Sequence, residues 1–128
     1  MAKPGVRDIT KLQDKFKADF LEDLADRAAL LERLLAATGW SRETLTEVFR
    51  VVHSIKGSAA TFGLQVLVAL CHPFEDAIQE AEAEPARWPE FVNLARRYVD
   101  LIQLARGEIR AGNEAAEETE SQLAALRR

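Results

Sequence analysis

The sequence predicts an all-α fold: an up-down-up-down four-helix bundle with an additional C-terminal fifth helix. Three observations carry that prediction. Apolar residues recur every three or four positions along most of the chain, and no stretch alternates with the period of two that a strand needs. Only six Gly and four Pro occur in 128 residues, so long disordered or low-complexity stretches are not expected. Aromatic residues make up 7% of the chain while Ala, Leu, Glu and Arg are abundant, a mixture that favours helix over sheet. A chain of 128 residues suits one domain with its own core and is too short for two. No repeat of about 20–50 residues is visible, so a solenoid is not supported.

Ile9, Leu12, Phe16, Phe20, Leu24, Ala28, Leu31 and Leu35 define a first amphipathic helix over roughly 8–38, about 45 Å long. Gly39 is placed to end it in a left-handed conformation. Ser41 is the expected N-cap of a second helix, roughly 41–62, and Glu43 adds a favourable charge in its first turn. Leu45, Val48, Phe49, Val52, Ile55, Ala59 and Phe62 form its apolar face, and Gly63 marks its end. The third helix, about 64–83, turns Leu67, Leu70, Cys71, Phe74, Ile78 and Ala81 inward. The segment Glu84–Pro89 reads as a connection, with Pro89 in the permitted first turn of a fourth helix, about 89–111. Phe91, Leu94, Tyr98, Leu101, Ile102, Ala105 and Ile109 are its inward positions. Gly112 and Asn113 then break the pattern. A weaker fifth helix, about 114–127, has Ala116, Leu123 and Leu126 as its buried side. Short loops between four helices of similar length imply antiparallel neighbours. Trp40 and Trp88 stand at helix starts, where they are expected to close the end of the bundle.

Composition removes several function classes. Seventeen basic against twenty-one acidic residues give a net charge of −4, and no basic run exceeds two, so the footprint of a nucleic-acid binder is missing. The single Cys71 permits no internal disulfide and no cysteine-based metal site, which fits a reducing compartment. Its place on the apolar face predicts a small core residue rather than a reactive thiol. The opening residues lack an apolar signal core, so a cytoplasmic setting is expected. The longest stretch without Asp, Glu, Lys or Arg, Gly57 to Phe74, contains too many polar residues to span a membrane. The acidic group Glu114, Glu117, Glu118 and Glu120 is expected to be a solvated helix face.

Chemistry concentrates on the second and third helices. His53 and His72 are the only side chains whose unperturbed charge changes near neutrality. A helical wheel puts His53 roughly 120° from the centre of its helix's apolar stripe, at or beyond the edge of the core. On that ground alone it would be an ordinary surface histidine. Lys56 at i+3 and Gly57 at i+4 share its strip of surface. A mid-helix glycine costs about 1 kcal/mol relative to alanine. Close packing is one explanation for Gly57. The other is clearance, since a bare Gly57 and the small methyl of Ala60 would let a partner reach the imidazole. Glu75 lies about 80° from the apolar centre of the third helix, with His72 three residues earlier on the same flank. The near absence of a loop between these helices makes them antiparallel neighbours and puts Glu75 within reach of His53. A carboxylate accepting from Nδ1–H would fix the tautomer and leave the Nε2 lone pair outward.

The stretch Phe49 to Gly63, with His53-Ser-Ile-Lys56-Gly57 and Thr61-Phe62-Gly63, followed by His72 and Glu75, resembles the signature of histidine-containing phosphotransfer (HPt) domains. Its particular wording is most similar to the N-terminal P1 domains of CheA-type chemotaxis kinases. The resemblance covers essentially the whole chain, and that family's layout, a four-helix bundle plus a fifth helix, agrees with the reading above. It implies that His53 is the phospho-acceptor and that Glu75 hydrogen-bonds and orients its imidazole. Lys56 and His72 would complete the polar cluster, with Gly57 and Ala60 on the partner-binding surface. One departure is Pro73, which would kink the third helix and tilt His72 and Glu75 relative to His53.

The chain carries no glycine-rich phosphate loop and no kinase nucleotide-binding motif. No cofactor is therefore expected in this domain. ATP and Mg²⁺ would be held by a separate histidine kinase ATP-binding domain, and Mg²⁺ by a CheY-like response-regulator receiver. Those two are the implied partners of a monomeric carrier, which would be the first module of a longer kinase. Two other readings compete. A docking-only module would bind a receiver without phosphotransfer. A di-metal bundle would need Glu-x-x-His twice, where the chain has one inverted His-x-x-Glu.

Overall fold

The computed structural model describes residues 5–127; residues 1–4 of the opening segment, read above for an apolar signal core, lie outside them. Helices α1 (Val6–Ala36), α2 (Arg42–Thr61), α3 (Gln65–Ala83) and α4 (Trp88–Arg110) form the bundle, and α5 (Glu117–Leu126) follows. A 3-10 turn, Pro85–Arg87, leads into α4. No strand occurs among the described residues. Each helix packs on its sequence neighbour, and α1 closes the ring against α4; α5 lies on α4 and α3.

The core follows the predicted periodicity. Leu24 and Leu31 from α1, Val48, Val52 and Ile55 from α2, Leu67, Leu70, Cys71 and Phe74 from α3, and Val99 and Ile102 from α4 are fully or almost fully buried. At one end of the bundle Trp40 packs against Trp88 and Phe91, with ring centroids 6.3 and 6.0 Å apart. Trp88 Nε1–H also donates to the Ala81 carbonyl at 2.7 Å, tying the start of α4 to the end of α3. No helix among the described residues is long and apolar enough to cross a membrane.

Two local devices set the α2–α3 hairpin. Ser41 caps α2, its hydroxyl accepting from the Thr44 amide at 3.3 Å. At the other end Gly63 takes φ +68°. The Leu64 amide donates to Ala59 O at 3.0 Å and the Gly63 amide to Ala60 O at 3.1 Å, the bond pair of a Schellman turn. Leu64 and Ala59 are both buried beneath it. A reversal this tight makes residues ten to twelve positions from Gly63 on either side face each other, which is the separation of His53 and Glu75.

One expectation needs correction. The apolar stripe of α1 is not buried throughout: Ile9, Leu12 and Phe16 are 45%, 51% and 50% exposed. The reason is length. At 1.5 Å per residue α1 spans about 46 Å and α2 about 30 Å. Phe20 already stacks on Phe62, beyond the last turn of α2, at 5.6 Å. Everything before Phe20 therefore runs past the α2–α3 turn. Pro73 lies inside α3, which runs on past it without ending. The carbonyl that loses its amide partner belongs to Ala69, an exposed residue, where water can satisfy it.

The docking of α5 depends on Glu108 of α4. Its carboxylate accepts from the Thr119 hydroxyl at 2.6 Å, the Thr119 amide at 2.8 Å and the Glu118 amide at 3.1 Å. Those amides belong to the first turn of α5, whose N-cap Ala116 offers no side-chain cap. Glu108 therefore does the capping from outside the helix. The Thr119 hydroxyl, ahead of the backbone amides, holds the Glu108 carboxyl below its ordinary value of 4.5. A lowered folded-state pKa means that the stabilisation is present above the ordinary value and is lost as pH falls through the lower one. Protection factors of the α5 amides, taken against the intrinsic exchange rate at each pH, should fall as pH drops below about 4.5 while those of the α2 and α3 cores hold. Glu108→Ala should give the same pattern at neutral pH.

Candidate functional site

His53 on α2 and Glu75 on α3 meet across the hairpin. His53 Nδ1 lies 3.1 Å from Glu75 Oε1, and Lys56 Nζ donates to Glu75 Oε2 at 2.9 Å. A carboxylate only accepts, so Nδ1 carries the proton and Nε2 of the neutral ring carries the lone pair. Exposure grades outward: the side chains of Glu75, Lys56 and His53 are 10%, 26% and 64% exposed. The carboxylate is thus rooted in the α2–α3 interface with both oxygens engaged, and the imidazole stands in solvent. No polar group among the described residues bonds to Nε2. Phe49, one turn before His53, stacks on the imidazole with centroids 5.5 Å apart and planes 14° from parallel.

Gly57 settles one of the alternatives open from sequence. A Cβ built there would meet nothing within 4 Å. Close packing is therefore not the reason for the glycine. Ala60, one turn on, is exposed as well. The surface beside His53 is bare for a full turn of helix.

The Hpt domain family profile matches residues 15–128. The chain belongs to the Hpt domain family. Chemotaxis protein CheA of Cereibacter sphaeroides is 39% identical over 93 residues, covering 69% of this chain and 13% of that protein. Chemotaxis protein CheA of Rhizobium meliloti is 33% identical over 116 residues, 86% of this chain and 15% of that protein. A third CheA, from Klebsiella aerogenes, is 42% identical over 62 residues, 48% of this chain and 10% of its own length. The chain thus spans less than a sixth of the relatives it matches.

Of the residues expected at the site of this Hpt domain, the fold brings His53, Lys56 and Glu75 together and leaves His72 out. His72 Nε2 lies 3.8 Å from Asp76 Oδ2, and its side chain is largely exposed. Glu75 points across to α2, whereas the exposed His72 pairs with a carboxylate one turn ahead on α3 itself. Cys71 is buried, and that burial, followed by the nearby Glu75 charge, pushes its thiol up to about 12, so it offers no thiolate at neutral pH. No three His, Cys, Asp or Glu side chains among the described residues converge as a metal site would require.

Sequence reasoning placed Phe49 on the apolar face and missed its contact with the imidazole. The signal was available, because positions i and i+4 lie one above the other on a helix. The hydrogen bond from Arg27 of α1 to Ser54 Oγ was also missed, and no sequence spacing announces it.

Proposed function

We propose that this Hpt domain is the phosphoryl carrier of a chemotaxis-type two-component pathway, with His53 as the phospho-acceptor. The observation that carries the reading is the Nδ1–H bond to Glu75, which leaves the Nε2 lone pair on an exposed ring. In the loading step Nε2 forms a bond to the γ-phosphorus of ATP held by a kinase domain, as the bridging P–O bond breaks and its electrons leave with ADP. In the unloading step a receiver aspartate oxygen bonds to phosphorus, the N–P bond breaks, and its pair returns to Nε2. Nδ1 keeps its proton throughout. Phosphoryl transfer asks little more of the carrier than an in-line nucleophile and charge stabilisation. Glu75 orients the ring, and Lys56 holds Glu75 and supplies positive charge beside it. ATP and Mg²⁺ belong to the kinase domain and Mg²⁺ to the receiver, in a cytoplasmic setting.

The test separates a carrier from a docking module. The protein is labelled with a CheA-type kinase domain and radioactive ATP, purified, and mixed with a CheY-like receiver. A carrier loses its label to the receiver. A receiver that binds yet gains no label would identify a docking module instead.

Gly57 provides a companion prediction. Gly57→Ala fills empty space on a helix and should stabilise the fold by about 1 kcal/mol, raising Tm by about 3–5 °C. Gly57→Leu, also a good helix former, should leave Tm no lower than wild type while slowing transfer to the receiver about tenfold, because the side chain stands in the partner's path.

A further inference from the structure

We propose that Phe49 is a positioning residue for phosphoryl transfer: its ring is the platform that fixes the plane of the His53 imidazole. The inference rests on the carrier role of His53. Two torsions orient a histidine side chain, and the Nδ1–H bond to Glu75 restrains one combination of them. Coupled changes in the two torsions that keep Nδ1 near Oε1 can still turn the ring, carrying Nε2 with it. The stack removes that motion, since rings 5.5 Å apart and 14° from parallel are in the offset arrangement aromatic pairs prefer.

Phe49 is itself held in place. It is half-buried against the core, and with Leu45 and Ile78 it lines a groove of about 300 Å³ between α2 and α3. A platform anchored on the core and an acceptor rooted in the helix interface leave the imidazole one orientation. In it Nε2 is presented to an incoming phosphorus with little to be ordered at the moment of reaction. The role acts on the ring rather than on a partner, so it belongs to the transfer step and not to docking.

Phe49→Leu keeps an apolar side chain over Leu45 and Ile78 and removes the ring; Phe49→Tyr keeps the ring. With a CheA-type kinase domain and ATP, Phe49→Leu should lower kcat for labelling about tenfold with KM within about twofold of wild type, and Phe49→Tyr should restore kcat. In NMR spectra the His53 ring protons should move downfield in Phe49→Leu, as the ring-current shift from Phe49 is lost, and return in Phe49→Tyr. A Phe49→Leu protein labelled at the wild-type kcat overturns the proposal while leaving the carrier role intact. If that variant does not fold, the wild-type protein still decides: absence of ring-current shifts and of Phe49–His53 proton contacts overturns it. A wild-type protein that shows the stack but takes no label removes the carrier role, and the positioning role with it.

Discussion

Replacing Glu75 by alanine is expected to slow phosphoryl loading of His53 about a hundredfold, the scale on which loss of orientation at a reacting centre is felt. The carboxylate does two things at once: one oxygen takes the Nδ1 proton's hydrogen bond at 3.1 Å, and the other holds Lys56 at 2.9 Å. Without it, Nδ1 and Nε2 compete for the single proton of the neutral ring, and Nε2 is blocked as a nucleophile for part of the time. The ring also loses its anchor to α3. The fold should survive, because both former partners reach solvent. Glu75→Gln keeps an acceptor oxygen for Nδ1–H and should lose only about tenfold. Initial rates of labelling, with long-range nitrogen–proton NMR to read the tautomer, test this. An unchanged rate in Glu75→Ala would remove the orienting role.

The second large effect concerns the neighbouring position. Phe74 is fully buried and stacks on Tyr98, with centroids 5.1 Å apart and planes 17° from parallel. Phe74→Ala should reduce the unfolding free energy by about 3–5 kcal/mol, from lost burial and the cavity left behind. Domains of this kind hold about 5–15 kcal/mol in total, so the variant would sit near the edge of folding. Urea unfolding should show a lower midpoint with an unchanged slope. Its labelling should fall with the folded fraction and recover when a mildly destabilised sample is returned to its temperature of maximum stability. Glu75→Ala should not recover that way. The two adjacent substitutions thus separate the chemistry of α3 from its anchoring.

The contrast between these neighbours also explains what could be read from sequence. Phe74 and its fellow core residues announce themselves by helical period, and Ser41 and Gly63 by the backbone chemistry of helix ends. Once the Gly63 turn makes α2 and α3 antiparallel, His53, Lys56 and Glu75 can be brought together by counting residues. What escaped depends on contacts that periodicity does not encode. The stripe Ile9, Leu12 and Phe16 looks like core because a stripe records amphipathicity, not whether a partner helix is long enough to cover it. The binding of Glu108 to the first turn of α5 joins polar groups across the connection between α4 and α5. His72 shares a flank with Glu75 on a helical wheel, yet a wheel does not say that Glu75 would turn toward α2 while His72 meets Asp76. Phe49 shows the reverse error: one apolar ring serves the core and the site together, and assigning it to the core hid the second contact.

The central claim, that His53 carries the phosphoryl group, is tested most directly by labelling. The protein and its His53→Gln variant are incubated with a CheA-type kinase domain and radioactive ATP, and the label is challenged with acid and with base. Label is expected on the wild-type protein alone, lost in acid and kept in base as a phosphoramidate bond requires. Label that persists on His53→Gln, or that survives acid, would contradict it.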